Sequence, residues 1–237
     1  MNILKEFSLD DKCSYIDGNE QTMHYKIIDD CSPEYAHALI ERGYRRFGKM
    51  FFRPVCENCN ECQSLKIDVD NYKFSKSERR VLKKAKAIET FTQTPQLSHE
   101  HLDLFERYHL YMKDKKGWKH EKASPDHYYN SFVTGHEDFG YETLYYHKDK
   151  LVGVDLIDVL EDGISSIYFY YDPDYSHLSL GKLSLLKQIE LAKQIEKRWV
   201  YLGYYVESCS SLNYKADYKP FLTLKGRPQM NEKFQWS

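Results

Sequence analysis

Between residues 142 and 206 the chain runs strand, strand, strand, long helix, strand, with almost nothing in between. Residues 142–147, 151–160 and 164–171 are rich in Val, Ile, Leu and Tyr. They are separated only by the turns Lys148-Asp149-Lys150 and Glu161-Asp162-Gly163, which predicts an antiparallel meander. Residues 179–197 carry apolar side chains over more than half a helical wheel, as expected of a helix lying on a sheet. Residues 199–206 return as a strand. Three strands, a crossover helix and a strand predict an α+β half-sandwich.

The first half reads differently. Residues 22–29 alternate Met23, Tyr25 and Ile27, a strand. Ser32-Pro33 opens a helix to about Arg42, with serine as cap, proline at the first position and Gly43 as terminator. Residues 49–53 and 64–69 are predicted strands on either side of a loop holding Cys56, Cys59 and Cys62. Two-residue gaps bring three sulfurs onto one turn, which is metal-ligand spacing. A tetrahedral site needs a fourth ligand. Cys13 is the first candidate, with Cys31, Cys209 and His24 behind it. Zinc and an iron–sulfur cluster both suit the spacing, and reduced structural thiols without metal are the plain alternative.

Ser75-Lys76-Ser77-Glu78 is a capping box. The helix it opens places Val81, Leu82, Ala85 and Ile88 on one side. Lys73, Lys76, Arg79, Arg80, Lys83, Lys84 and Lys86 surround it against the single acid Glu78. Few acidic neighbours relieve that repulsion, so a polyanion is the expected partner. Composition turns at residues 92–96, which predicts two domains, 1–95 and 96–237. A helix at about 98–113 follows, then a basic loop at 113–119 with Trp118, then a short helix opened by Ser124-Pro125.

Bulk properties narrow the function little. Net charge is -2 and 30% of residues are charged. No apolar run approaches bilayer-spanning length. The first residues lack a secretory core, so the expected compartment is the cytoplasm, where six cysteines are thiols or ligands rather than disulfides. The chain has 21 tyrosines. Most are expected to pack in the core with the hydroxyl at the rim, and some could line a groove on which bases stack.

Arg45, Arg46 and Arg53 flank the cysteine loop and could grip a carboxylate or phosphate. The segment from Tyr201 to Pro220 concentrates Tyr, Asn, Lys and Asp at a strand end. These pieces together carry a resemblance. Cys13-Ser14-Tyr15, Gly43-Tyr44-Arg45-Arg46-Phe47-Gly48, Arg53-Pro54 ahead of the cysteine triplet, and Ser75, Ser77, Arg79 and Arg80 form its first half. Tyr170-Tyr171-Asp172-Pro173, Ser179-Leu180-Gly181, Leu202-Gly203-Tyr204-Tyr205 and Asn213-Tyr214-Lys215-Ala216 form its second. The chain resembles, over nearly its whole length, the aminoacyl-tRNA–protein transferases of the N-end rule pathway, in particular the bacterial branch acting on aspartate and glutamate N-termini. Ile16 departs from the two-cysteine opening of the arginyl members, so a cluster of that branch does not carry over.

The resemblance implies an N-acetyltransferase-like (acyltransferase) half-sandwich with an N-terminal Cys-containing α/β subdomain. It implies transfer of leucine from leucyl-tRNA to the amine of proteins that start with Asp or Glu, marking them for degradation. Arginyl-tRNA is the alternative donor. The donor is an activated ester, so no cofactor is required for the chemistry, and no phosphate-binding Gly-x4-Gly-Lys loop occurs. Charged tRNA and acidic N-termini are the expected partners, with no membrane. The acidic side chain needs a cationic fork, with Arg45, Arg46 and Arg53 as first choices. Arg79 and Arg80 could serve instead, or with Lys83 could hold tRNA phosphates, and Trp118 or Tyr171 is expected under the terminal adenine. Glu207, Asp172 or a tyrosine could accept the amine proton. Asn213, Lys215 and the Tyr204 and Tyr214 hydroxyls could stabilise the oxyanion.

Two other functions compete. A CoA-dependent N-acetyltransferase would want a glycine-rich turn before the long helix, and residues 176–182 hold one glycine. A cysteine loop with a basic helix could also be an RNA-binding module.

Overall fold

The computed structural model describes residues 1–120, 122–136 and 138–237. Two sheets organise it. The smaller joins β1 (Asn2–Lys12), β2 (Glu20–Asp29), β3 (Arg45–Phe47) and β4 (Met50–Pro54) in the antiparallel order β1-β2-β4-β3. Helix α1 (Pro33–Glu41) follows β2, and the Ser32 hydroxyl caps it by accepting from the Tyr35 amide. Ile28, Ala36, Leu39, Ile40 and Phe51 bury its contact with this sheet.

The larger sheet has the order β11-β5-β10-β9-β8-β7-β6. It is built from β5 (Gln63–Asp68), β6 (Ile88–Gln93), β7 (Gly140–His147), β8 (Lys150–Val159), β9 (Gly163–Tyr171), β10 (Trp199–Tyr205) and β11 (Phe221–Thr223). The predicted meander is β7-β8-β9, and only the β9–β10 pair is parallel. Helices α2 (Lys76–Lys84) and α5 (Leu180–Gln194) cover one face. Helices α3 (His99–Lys116) and α4 (Pro125–Tyr128), with a π turn at Tyr129–Val133, cover the other.

Several boundaries move for local reasons. The basic helix stops at Lys84, and Ile88, predicted on its apolar face, instead opens β6 at the sheet edge. Most of the predicted basic loop is the last turn of α3. Lys113, Lys115 and Lys116 suit the negative end of the helix dipole there, and Gly117 at φ 68° closes it. The division at 95/96 does not separate two sheets, because β5 and β6 pair with strands of the second half.

Tyrosines are found both in the core and along a cavity. Tyr128, Tyr145 and Tyr170 are fully buried, and the Tyr128 and Tyr170 hydroxyls share a 2.6 Å hydrogen bond. Tyr15, Tyr108, Tyr168, Tyr171 and Tyr214 line a cavity.

Candidate active site

The cavity exists because β9 and β10 part company. They pair only over Trp199–Tyr201 against Gly163–Ser165. Just beyond, each strand carries one extra residue, Ile167 in β9 and Leu202 in β10. Such bulges bend a strand and take carbonyls out of the ladder. A cavity of about 560 Å³ opens in the gap, closed by the loop bearing Ser14 and Tyr15 and by Ser211, Leu212, Tyr214 and Lys215.

Arg45 fills the base of the gap. Its Nη2 donates to the freed carbonyls of Ser166 at 2.6 Å and Ile167 at 3.1 Å. Its Nη1 lies against Gly203, where a Cβ would sit 1.6 Å from the nitrogen. Gly203 is also at φ 72°, so only glycine suits the position. No carboxylate pairs with Arg45 among the described residues. Burial lowers its pKa, and the nearby Tyr204, Tyr15 and Tyr214 hydroxyls oppose the shift.

Lys215 is the second cation of this wall, more buried than the half-buried Arg45. Its Nζ donates to the Tyr204 carbonyl at 2.6 Å, and it is 8% exposed. Burial, with Arg45 next to it, brings its pKa down to about 7. Burial raises the Tyr15 and Tyr214 hydroxyls, which therefore stay protonated and able to donate at neutral pH. The same wall carries Ile167, Phe169, Leu185, Leu202 and Leu212, and no Asp or Glu lines it among the described residues.

The other predicted residues lie elsewhere. Arg46, one residue on from Arg45, points to the opposite side of β3. It pairs with Asp158 through Nε–Oδ2 at 2.7 Å and a second contact from Nη2 to Oδ1. Arg53 donates from Nη1 to the carbonyls of Arg42 at 3.0 Å and Pro228 at 2.8 Å and lies over the Tyr44 ring. Both are buried and neither lines the cavity. Asp172 is fully buried. Burial pushes its pKa up, but hydrogen bonds from Lys150 and Arg107 outweigh this and hold it below the ordinary value. The Tyr204 hydroxyl donates to the Phe52 carbonyl beside Arg45 and is outside the cavity lining, while its backbone oxygen accepts from Lys215. Glu207 and Asn213 are exposed and outside the cavity lining, joined by a 3.4 Å contact from Asn213 Nδ2 to the Glu207 carbonyl.

Trp118 and Tyr171 are in the cavity wall, and Trp118 leaves 40% of its surface exposed. Arg79, Arg80 and Lys83 project from α2 into solvent. That helix packs on α5, and Lys84 Nζ donates to the His177 carbonyl just before α5, whose Gly181 and Ser184 line the cavity. The basic helix is thus joined to the helix that supplies part of the cavity wall, while its basic side chains are outside the lining. The buried acid Glu78 belongs to the cap, accepting from the Ser75 amide and the Tyr72 hydroxyl.

The cysteine loop is fastened by a residue that spacing gave no reason to expect. Arg227 donates to the carbonyls of Cys56 at 2.7 Å and Cys59 at 2.6 Å. Cys13, Cys56 and Cys59 are near enough to Cys62 to add to the burial that raises its thiol to about 12. However, no three of the four sulfurs lie within 4.8 Å of one another among the described residues. A tetrahedral thiolate site with 2.3 Å bonds needs separations of about 3.8 Å. The thiols are gathered but not arranged for a metal, and no chemical step is routed through one.

Two family models account for most of the chain. Residues 11–80 match the N-terminal part of the arginine-tRNA-protein transferases and residues 100–225 match their C-terminal part. The chain belongs to the arginine-tRNA-protein transferase family. It is an enzyme, an aminoacyltransferase. Both matched segments build the cavity, the first through Ser14, Tyr15 and Arg45 and the second through Tyr214 and Lys215. A relative from Campylobacter jejuni subsp. jejuni, named aspartate/glutamate leucyltransferase, is 51% identical over 95% of this chain and 94% of its own length. A protein of the same name from Helicobacter hepaticus is 41% identical over 100% of this chain and 98% of its own. The crystal structure of FemX aligns with a TM-score of 0.47 at 7% identity, covering 84% of this chain and 79% of that one. No helix of the described residues is long and apolar enough to cross a membrane.

Proposed function

We propose that this enzyme moves leucine from leucyl-tRNA to the α-amine of proteins beginning with Asp or Glu, in the cytoplasm, creating a degradation signal. The observation that carries the reading is Arg45, a cation in the cavity wall with no carboxylate partner among the described residues. A guanidinium held on one side by carbonyls keeps donors for a substrate carboxylate. The names of the relatives agree with this choice. A half-sandwich of the N-acetyltransferase-like kind is the fold we assign, with the large sheet as its core and the Cys-containing N-terminal segment contributing Ser14, Tyr15 and Arg45 to the cavity.

The cavity also favours leucine over arginine as the donated residue. A guanidinium side chain would need a carboxylate, and none lines the wall among the described residues, whereas Ile167, Leu185, Leu202 and Leu212 suit a branched aliphatic chain. In the reaction the α-amine nitrogen bonds to the ester carbonyl carbon and the ester C–O bond breaks. Of the two protons the ammonium loses, one ends on the ribose oxygen and one in solvent. Lys215, with a pKa of about 7, is suited to take the first from the ammonium and to return one to the leaving oxygen. Tyr15 and Tyr214 can donate to the oxyanion. Trp118 offers an exposed face to the terminal adenine, and Arg79, Arg80 and Lys83 a path for acceptor-stem phosphates.

Zinc or an iron–sulfur cluster at Cys13, Cys56, Cys59 and Cys62 is a separate proposal, confined to fastening the loop and requiring the sulfurs to close. Side-by-side transfer from leucyl- and arginyl-tRNA to an Asp-initiated peptide tests the main reading. Leucine should transfer and arginine should not; equal transfer of both overturns the donor assignment.

A further inference from the structure

On the other side of the small sheet, α1 meets the turn between β8 and β9. His37 and Glu41 stand one helical turn apart on α1, so both side chains leave the same face. Asp162, in the turn, comes up against them. One ligand atom from each of the three lies within 4.8 Å of the other two. His37 Nε2 is 2.9 Å from Asp162 Oδ1 and 3.8 Å from Glu41 Oε2. These separations bracket the roughly 3.3 Å between ligands of a tetrahedral ion with 2.0–2.1 Å bonds.

Two further observations point the same way. His37 Nε2 is buried without an aligned hydrogen-bond partner, although Asp162 is so near. Each of the three groups also has a neighbour outside the cluster, and for His37 and Glu41 that neighbour leaves the inner atom facing the others. Glu161 Oε2 is 3.5 Å from His37 Nδ1, the far side of the ring. Lys66 Nζ is 3.8 Å from Glu41 Oε1, while Oε2 faces His37. The Tyr201 hydroxyl donates to Asp162 at 3.1 Å. A carboxylate beyond the histidine and donors beyond the carboxylates are the kinds of group that orient ligands at metal sites; here only the Tyr201–Asp162 contact is a hydrogen bond, and the other two are longer charge contacts.

We propose that His37, Glu41 and Asp162 form a site for a divalent first-row metal ion, with zinc the expected occupant. One imidazole and two carboxylates suit zinc's mixed N/O preference, and the two negative charges neutralise the ion. None of these residues lines the transfer cavity. The ion fastens α1 to the β8–β9 turn and takes no part in the transfer.

The test loads the full-length chain with one equivalent of zinc and reads X-ray absorption at the zinc edge together with the metal dissociation constant. The expected result is a first shell of N and O at about 2.0–2.1 Å, without the sulfur shell at about 2.3 Å that the cysteine loop would give. His37→Gln and Asp162→Asn should each weaken binding by at least about 100-fold, and the outer-shell variant Glu161→Gln by about 10-fold. Melting curves in chelator show whether each variant folds. Should the two ligand variants fail to fold, the exposed Glu161 position carries the test alone. Absence of zinc binding, a sulfur first shell, or affinity unchanged in the variants that fold would overturn the proposal.

Discussion

The cavity wall around the half-buried Arg45 and the ion-pair layer around the buried Arg46 treat a cation in opposite ways, although the two residues are neighbours in one short strand. Arg46 is 3% exposed, its partner Asp158 is 0% exposed, and the pair is forked and complete. Arg45 rests on two carbonyls and a glycine, with Lys215, a second cation, nearby. Removing one partner of a complete buried pair leaves an uncompensated charge and costs stability. Removing a cation that has no partner relieves a cost in the free protein and is felt when an anion should bind. The contrast separates residues that hold the fold from residues that await a ligand, and it does so within a strand of three residues.

The largest expected effect comes from Lys215. Lys215→Met should lower transfer by about 100- to 10,000-fold, the range of a lost general acid–base. It should also change stability in a definite direction. The folded pKa of about 7 lies below the ordinary 10.5, so between these values the unfolded chain binds more protons. Wild-type stability therefore rises with pH from about 7 to about 10.5, and below pH 7 the buried charge weighs against folding. Melting curves across this range should show the variant to be the more stable protein at acid pH, with that part of the slope gone. If the variant is less stable at every pH, Lys215 supports the fold and the contrast with Arg46 fails.

On the other side of the comparison, Asp158→Asn should cost about 3–5 kcal/mol and lower the melting temperature by roughly 10 °C. At a temperature where the variant remains folded, its preference for acidic N-termini should persist. A variant that melts like wild type would show that the Arg46 pair is not part of the framework.

The sequence carried the framework well where apolar period and turn chemistry agree. The meander, the crossover helix, the Ser32 and Ser75 caps and the strands flanking the cysteine loop all lie near their predicted positions. It failed where contacts are long-range. β1, with polar and apolar residues mixed along an exposed edge, has no clear period, and β6 is placed by its pairing with β7, most of its side chains being exposed. At the site, Arg45 and Arg46 were equally good candidates, because alternation says that they face opposite sides but not which side has the cavity. Asp172 looked like a base at a strand end and is instead held by Lys150 and Arg107, 22 and 65 residues away in sequence. The bulges at Ile167 and Leu202 depend on register between strands, which no local pattern encodes. Arg227, which fastens the cysteine loop, is about 170 residues from it.

The most direct measurement pairs one substitution on the enzyme with one on the substrate. kcat/KM for leucyl transfer is compared between peptides beginning with Asp and with Asn, for wild type and for Arg45→Gln, after confirming by melting curve that the variant folds. If Arg45 receives the acidic side chain, wild type prefers Asp by roughly 100-fold, as expected for a desolvated charge pair, and Arg45→Gln loses that preference to within a few-fold. If the variant is slower on both peptides by the same factor and still prefers Asp, the carboxylate is read elsewhere and the account of this cavity is wrong.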